Sequence, residues 1–152
     1  MEKKASKEKQ LILIRQYRPP VGKYVIELPA GLLEKGEPST ETAVRELQEE
    51  AGYTGKSSEA SPYGMHFSAA VSNTSSKVAV VTVDGDDPTN ATLHAHREDT
   101  ELVSNVFTVP LTSLCAFLQG LSTNYQSHHF QDLLFIFWTF PVRQSVWTRA
   151  TR

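Results

Sequence analysis

The sequence lacks paired cysteines and long apolar runs. Cys115 is the single cysteine of 152 residues, which excludes an intramolecular disulfide and a zinc site built on paired thiolates. The most apolar stretch, residues 133–140, spans eight residues, whereas a membrane helix needs about 20. The N-terminus has no signal-peptide pattern, so we expect no membrane partner. We expect the protein in a reducing compartment, the cytoplasm, and as a second possibility in the nucleus.

The sequence also lacks an excess of positive charge. Fifteen Lys and Arg residues stand against seventeen Asp and Glu, for a net charge of -2. A general nucleic-acid-binding protein would need a strong positive field, so we expect no nucleic-acid partner. The length and the 39% hydrophobic residues suit one globular domain.

Local patterns predict a mixed sheet sandwiched by helices. A helix should begin near Ser39 or Thr40, either of which could cap it, and stop at Gly52. A lysine-rich segment (1–10) should precede the domain (11–141), and a loose tail (142–152) should follow it. The predicted strands are residues 11–17, 23–28, 76–83 and 102–109, a second helix is 111–121, and 129–140 suits a helix or a strand.

Three glutamates share one side of the first predicted helix. At about 100° per residue, Glu46, Glu49 and Glu50 fall within one arc of about 100°, and their charges repel one another. A divalent cation with a preference for oxygen ligands, Mg²⁺ or Mn²⁺, would resolve the repulsion. The alternative is an acidic face exposed to solvent. The opposite arc is apolar and should dock on a core: Ala43, Val44, Leu47 and Ala51.

The spacing of residues 31–53, GLLEKGEPSTETAVRELQEEAGY, resembles the Nudix box, G-x5-E-x7-R-E-U-x-E-E-x-G-U. Every fixed position is present, and Tyr53 alone departs, where an aliphatic residue is usual. The resemblance implies the Nudix fold, a mixed β-sheet in an α/β/α sandwich. It also implies hydrolysis of a nucleoside diphosphate linked to another moiety.

Segments outside the box resemble the ADP-sugar pyrophosphatase branch of the family. They are RQYRPP at residues 15–20, ELPAG at 27–31 and VSN at 71–73. This resemblance implies an ADP-sugar such as ADP-ribose as substrate, AMP and a sugar phosphate as products, and Mg²⁺, replaceable by Mn²⁺, as cofactor. The candidate substrate-binding residues are Arg18, Glu27 and Ser72. The guanidinium of Arg18 matches phosphate oxygens, and the alternative is a structural arginine beside Pro19.

The same resemblance assigns the metal ligands and the catalytic residues. The carbonyl of Ala30 and the side chains of Glu46, Glu49 and Glu50 are the expected metal ligands. Glu37 and Arg45 should orient the loop and the helix. Arg45 lies four residues before Glu49, so a charge-assisted contact between them could fix the rotamer of Glu49, and Arg45 is placed with Glu49 among the catalytic residues. The proton acceptor should be Glu101, with Glu98 as the alternative, since a loop alignment can slip by three residues.

Other candidates are weaker, and none enters the predicted site. His94 and His96 could suggest a zinc site, but no third soft ligand accompanies them. The adjacent pair His128–His129 is weaker still. Trp138 and Trp147 could stack on a base, but the first lies in an apolar run and the second in the tail.

The chain also departs from this branch. The several strands that usually precede the box, and that form the homodimer, have almost no counterpart before residue 11, so one central strand is expected to be missing and the sheet left incomplete or reordered. The resemblance implies a homodimer in the branch but does not extend that expectation to this chain, and a fragment or variant product is an alternative. Ala69–Ala70 replaces the usual Pro-Gly pair, and resemblance ends near residue 122. Two other functions stay open: hydrolysis of another nucleotide sugar or a damaged nucleotide, and a non-catalytic nucleotide-binding or interaction module.

Overall fold

A computed structural model describes residues 8–66, 68–93, 95, 103–123, 133–134 and 146–151. These residues form eight strands and two α-helices, which make up a mixed α/β architecture as predicted. The strands are β1 (Gln10–Arg18), β2 (Lys23–Glu27), β3 (Ala30–Leu32), β4 (Lys56–Ala60), β5 (Ser76–Thr82), β6 (Val103–Pro110), β7 (Leu133–Leu134) and β8 (Val146–Thr151). The helices are α1 (Ser39–Glu46), which continues as a π-helical turn (Leu47–Ala51), and α2 (Leu114–Thr123).

Sheet A has the strand order β6-β1-β2-β7. β1 runs antiparallel to both β2 and β6, and β7 runs parallel to β2. The β1–β2 connection is a short turn that begins with Pro19 and Pro20 and closes at Gly22, whose φ of 64° is left-handed. Glycine adopts that conformation without the steric cost that a Cβ adds, so the turn has a simple backbone cause.

Sheet B has the strand order β3-β8-β5-β4. β8 lies between two strands, parallel to β3 and antiparallel to β5. β4 pairs antiparallel with β5 on the far side. This sheet therefore joins strands that come from distant parts of the sequence, including the segment that local patterns predict as a tail.

Alternating residues of β1 face two different hydrophobic cores. Ile12 and Ile14 are buried with Leu47 of the π-helical turn and Val81 of β5. Leu11 and Leu13 point to the other side of sheet A, into a cluster that Leu114 and Phe117 of α2 cover. The continuous apolar run of β1 follows from this burial on both faces. None of the helices in the described ranges is long and apolar enough to cross a membrane.

The structure changes three of the local predictions. Pro38 is the N-cap residue of α1 and no side chain caps the helix, so Ser39 and Thr40 lie inside it rather than before it. α2 begins at Leu114, after a turn, instead of at residue 111. Residues 146–151 form a strand rather than a loose tail, because β3 and β5 offer it partners on both sides that no local pattern reveals.

The helix of the box also departs from the regular geometry used for its prediction. It is α-helical over Ser39–Glu46 and π-helical over Leu47–Ala51. Hydrogen bonds from i to i+5 give a wider turn and therefore less rotation per residue than about 100°. This brings Glu50 closer to the line of Glu46 than the regular wheel predicts. Gly52 ends the turn as predicted, with a left-handed φ of 77°.

Candidate active site

The box segment is held on the core by the apolar side of its helix. Ala43, Leu47 and Ala51 have no exposed surface. They pack against Ile12 and Ile14 of β1 and against β5, as the predicted apolar arc requires. This docking fixes the direction in which the glutamates on the opposite side of the helix point.

Two of those glutamates are buried against the strand that precedes the box loop. Glu46 is 5% exposed and Glu50 is 2% exposed. The backbone N–H of Ala30 donates a hydrogen bond of 2.7 Å to Oε2 of Glu50. A Cβ added to Gly31 would lie 1.8 Å from the carboxyl carbon of Glu46. The box glycine is therefore required because the Glu46 carboxylate occupies the space that any side chain would take.

Arg45 connects the other acidic residues of the box. Its Nη1 donates to Oε1 of Glu46 at 2.9 Å and to Oε2 of Glu49 at 2.8 Å. Its Nε and Nη2 donate to the two carboxylate oxygens of Glu37, each at 3.1 Å. Nη2 also donates to the carbonyl oxygen of Leu32 at 3.0 Å. The contact predicted between Arg45 and Glu49 is confirmed, and Arg45 also ties the loop after β3 to the helix.

This network changes the acidity of its members. Hydrogen bonds from Arg45 lower the pKa of Glu37 from 4.5 to about 2. In return, the hydrogen bonds to Glu37, together with the charges of its other acidic neighbours, raise the pKa of Arg45. Because this pKa lies below the usual range, Glu37 is ionised at neutral pH, and its contacts with Arg45 connect the loop to the helix.

The glutamates of the predicted metal site fall into two environments. Glu46 and Glu50 are buried beside Ala30 and Gly31, whereas Glu49 has 35% of its side chain exposed; Arg45 contacts both Glu46 and Glu49. No group of three or more His, Cys, Asp or Glu side chains converges in a metal-binding arrangement within the described ranges. Two buried carboxylates on successive turns, next to a backbone strand, still provide hard oxygen donors of the kind that Mg²⁺ binds together with water and phosphate oxygens. The donor set therefore fits a divalent cation, and the individual ligand assignments stay predictions.

A second charged pair lies on the face of sheet A that points toward the helix of the box. Nε and Nη2 of Arg18 both contact Oε2 of Glu27 at 2.8 Å. Glu27 lies opposite Ile14 in the β1–β2 register, and Arg18 lies two alternations along the same face of β1. The two predicted substrate-binding residues on the strands are thus brought together, and Glu27 lies three residues before Ala30 in the chain.

Gln16 lies on that same face and was not predicted from the sequence. It is 5% exposed, and within the described part of the chain its Oε1 has no hydrogen-bond partner. The alternation of β1 could have identified this residue, because Gln16 is polar but lies on the same face of the strand as the buried residues Ile12 and Ile14. Tyr17 and Tyr24 point to the other face, where their rings contact edge-to-face at 5.4 Å between centroids.

Other predicted residues are not brought to this site. The hydroxyl of Ser72 donates to Oγ1 of Thr74 at 2.8 Å, so it is engaged within its own loop. Trp147 belongs to β8, of which the backbone is described. The remaining candidates lie outside the described residues: His94, His96, Glu98, Glu101, His128, His129 and Trp138.

The box geometry agrees with comparisons to known proteins. Residues 5–130 match the family model described as NUDIX domain. The mouse protein named ADP-sugar pyrophosphatase is 39% identical over 111 residues, which are 73% of this chain and 50% of the mouse protein. The budding yeast protein named ADP-ribose pyrophosphatase is 38% identical over 100 residues, 66% of this chain and 43% of its own length.

A shorter match goes to a protein with a different name. The Bacillus methanolicus protein named methanol dehydrogenase activator is 52% identical over 46 residues, which cover 30% of this chain and 25% of that protein. The chain thus spans about half or less of the length of these curated relatives. Because the family model matches most of the chain and the fixed box residues make the contacts described above, the chain belongs to the Nudix family.

Proposed function

We propose that this protein hydrolyses the pyrophosphate bond of an ADP-sugar such as ADP-ribose and releases AMP and a sugar phosphate. The observation that carries the proposal is the burial of Glu46 and Glu50 against Ala30 and Gly31. Arg45 donates to Glu46 and the backbone of Ala30 donates to Glu50, and a divalent cation is a further partner that two such carboxylates would bind together with phosphate oxygens. The names of the mouse and yeast relatives support the choice of an ADP-sugar as substrate.

The proposed cofactor is Mg²⁺, with Mn²⁺ as a substitute. Glu46, Glu50 and the carbonyl of Ala30 would hold it, with Glu49 as a further ligand. When bound, the cation supplies charge neutralisation at the pyrophosphate and lowers the pKa of a water molecule. Glu49 is anchored by Arg45 and is partly exposed, so its carboxylate is placed to act from the solvent side of the buried pair.

Arg45 has a positioning role in this scheme. Its five hydrogen bonds join two carboxylates of the helix to Glu37 of the loop and to Leu32, the last residue of β3. A guanidinium fork with this many fixed contacts holds the rotamers of the glutamates that it touches, as the outer ligands of metal sites do. The loop and the helix therefore present their oxygens in one fixed arrangement.

Arg18 is the proposed contact to the substrate phosphates. It is 44% exposed, and both of its contacts go to a single oxygen of Glu27. A guanidinium has five N–H donors and matches the geometry of phosphate oxygens, so donors remain for a substrate. Glu27, which precedes Ala30 by three residues, holds the guanidinium on this face of sheet A. Ser72 stays a further candidate for substrate binding, as the resemblance implies.

Glu101 is the proposed proton acceptor, with Glu98 as the alternative. Attack of water on one phosphorus breaks the bond from that phosphorus to the bridging oxygen. The attacking water loses a proton to the glutamate, and the departing phosphate takes the bridging oxygen with its electron pair. This division of work leaves the buried glutamates free to bind metal throughout the reaction.

The proposal is tested by measuring the products formed from ADP-ribose with and without Mg²⁺. Equal amounts of AMP and ribose 5-phosphate, formed only with the metal, are expected. A panel of ADP-, GDP- and UDP-sugars then tests the substrate class, and a clear preference for a substrate other than an ADP-sugar would overturn that part. Binding of ADP-ribose without any product from the panel would instead support a non-catalytic module.

A further inference from the structure

The strand that carries Ala30 of the predicted metal site is paired with β8. Within the described residues, β3 has β8 as its neighbour in sheet B. The two strands run parallel, with Ala30 opposite Arg149, Gly31 opposite Ala150 and Leu32 opposite Thr151. The other side of β8 pairs antiparallel with β5. β8 therefore connects β3 to the rest of sheet B.

The position of β3 matters for the carboxylates of the box. Ala30 donates its backbone N–H to Glu50, and Gly31 packs against the carboxyl group of Glu46. A displacement of β3 by one ångström would lengthen the first contact beyond a normal hydrogen bond and would open the second. A strand of three residues has few contacts of its own, so its position depends on its neighbour in the sheet.

β8 comes from a part of the chain that the family match does not include. The match ends at residue 130, and β8 begins at Val146. We propose that the backbone of residues 146–151 is a positioning element of the metal site, which holds Ala30 and Gly31 against Glu50 and Glu46. This inference rests on the proposed function for its meaning, but the strand position on which it depends can be measured without any activity.

Cysteine pairs test the position of β8 in the 152-residue chain. In a Cys115→Ser background, two directly opposed pairs are made: Lys77→Cys with Ala150→Cys, and Val78→Cys with Arg149→Cys. Opposed residues of antiparallel strands have Cβ atoms about 4.5–5.5 Å apart, and neighbouring pairs alternate between closer and wider spacing. At least one of the two pairs should form a disulfide under mild oxidation.

The matched control shifts the register by one residue. The pair Lys77→Cys with Arg149→Cys places the two side chains on opposite faces of sheet B, so it should stay reduced under the same conditions. Closure of an opposed pair and not of the control supports the position of β8. Failure of both opposed pairs, or closure of the control alone, would overturn the proposal.

The effect of β8 on the metal site is tested by measuring the affinity for Mn²⁺, with electron paramagnetic resonance used to detect the free ion. Ala150→Pro removes the N–H of the residue opposite Gly31 and should weaken Mn²⁺ binding roughly 10- to 100-fold, the range seen when outer contacts of a metal site are lost. Leu13→Ala is the control, because Leu13 is fully buried in the other core and its loss lowers stability without touching sheet B. Its Mn²⁺ affinity should equal that of the wild type.

The outcomes separate this inference from the proposed function. Wild-type affinity in a folded Ala150→Pro variant would overturn the positioning role while leaving the proposed hydrolysis intact. If Ala150→Pro does not fold, Mn²⁺ binding is measured instead on the opposed cysteine pair in its oxidised form. The disulfide then locks β8 to β5 in its proposed position, so the affinity for Mn²⁺ should equal that of the wild type. Weaker binding would overturn the inference. A wild-type protein that binds Mn²⁺ but hydrolyses no nucleotide sugar would instead contradict the proposed function alone.

Discussion

The two sheets of this protein are assembled in different ways. In sheet A, β1 pairs with the next strand of the sequence through a short turn, and α2 covers a core on its far side. In sheet B, β3 and β5 are joined by β8, which follows both of them much later in the chain. The buried glutamates of the box contact β3. On the α2 side of sheet A, apolar side chains form a buried core, whereas the proposed chemistry depends on β3.

Disturbing β3 alone should lower the activity without affecting the core on the α2 side. Gly31→Ala places a Cβ 1.8 Å from the carboxyl carbon of Glu46, so the carboxylate must move. Activity should fall about 10- to 100-fold, as when a metal site loses its supporting contacts. Initial rates at saturating Mg²⁺ measure this, with Gly85→Ala as the control because a Cβ there meets no atom within 4 Å. Equal activity of both variants would contradict the role of Gly31.

The proton acceptor tests whether the chemistry extends beyond the box. Glu101→Gln should lower kcat by roughly 10²-fold with little change in KM, the usual scale for loss of a general base. Steady-state kinetics with ADP-ribose measure this. Glu98→Gln is the matched variant, and a larger loss there with Glu101→Gln near wild type would move the role to Glu98.

A substitution in the core on the α2 side should have the opposite effect, a loss of stability with little loss of activity. Leu13 is fully buried between β1 and α2, so Leu13→Ala should cost about 2–5 kcal/mol of unfolding free energy. Its kcat, measured at a temperature at which the variant is folded, should stay within about twofold of wild type. Thermal unfolding and kinetics together check this, and a large fall in kcat of the folded variant would show that the two regions are not separate.

The smallest expected effect concerns the pH dependence of stability. Arg45 lowers the pKa of Glu37 from 4.5 to about 2, so this pair contributes to stability above pH 4.5 and loses its contribution as the pH falls toward 2. Glu37→Gln should lower the melting temperature by about 2–4 °C near neutral pH, the shift for about 1 kcal/mol in a domain of this size. The difference from wild type should shrink below pH 4.5. A difference that stays constant over this range would contradict the assigned cause.

The sequence was sufficient where structure depends on residues close in the chain. The spacing of the box predicted the docking of Leu47 and Ala51, the contact of Arg45 with Glu49 and the stop at Gly52. A regular wheel could not show the π-helical turn, because hydrogen bonding from i to i+5 leaves no distinct residue pattern. The separation of the buried pair from Glu49 was missed for the same reason.

Pairing between distant segments was the part that the sequence could not predict. The segment at residues 146–151 contains Val and Thr, which favour strands, but its partners β3 and β5 are set by the fold and not by its neighbours. β3 is only three residues long, too short for an alternating pattern to identify. The burial of Gln16 could have been predicted from the alternation of β1, since Gln16 continues the line of Ile12 and Ile14.

The most direct test of the central claim is Mg²⁺-dependent release of AMP from ADP-ribose by Glu50→Gln beside Glu41→Gln. Both changes remove one carboxylate from the same helix, but Glu50 is buried against Ala30 whereas Glu41 is exposed at its first turn. The account predicts that Glu50→Gln loses most activity at saturating Mg²⁺ with nearly unchanged far-UV circular dichroism, and that Glu41→Gln keeps wild-type activity. Full activity of Glu50→Gln, or an equal loss in both variants, would contradict it.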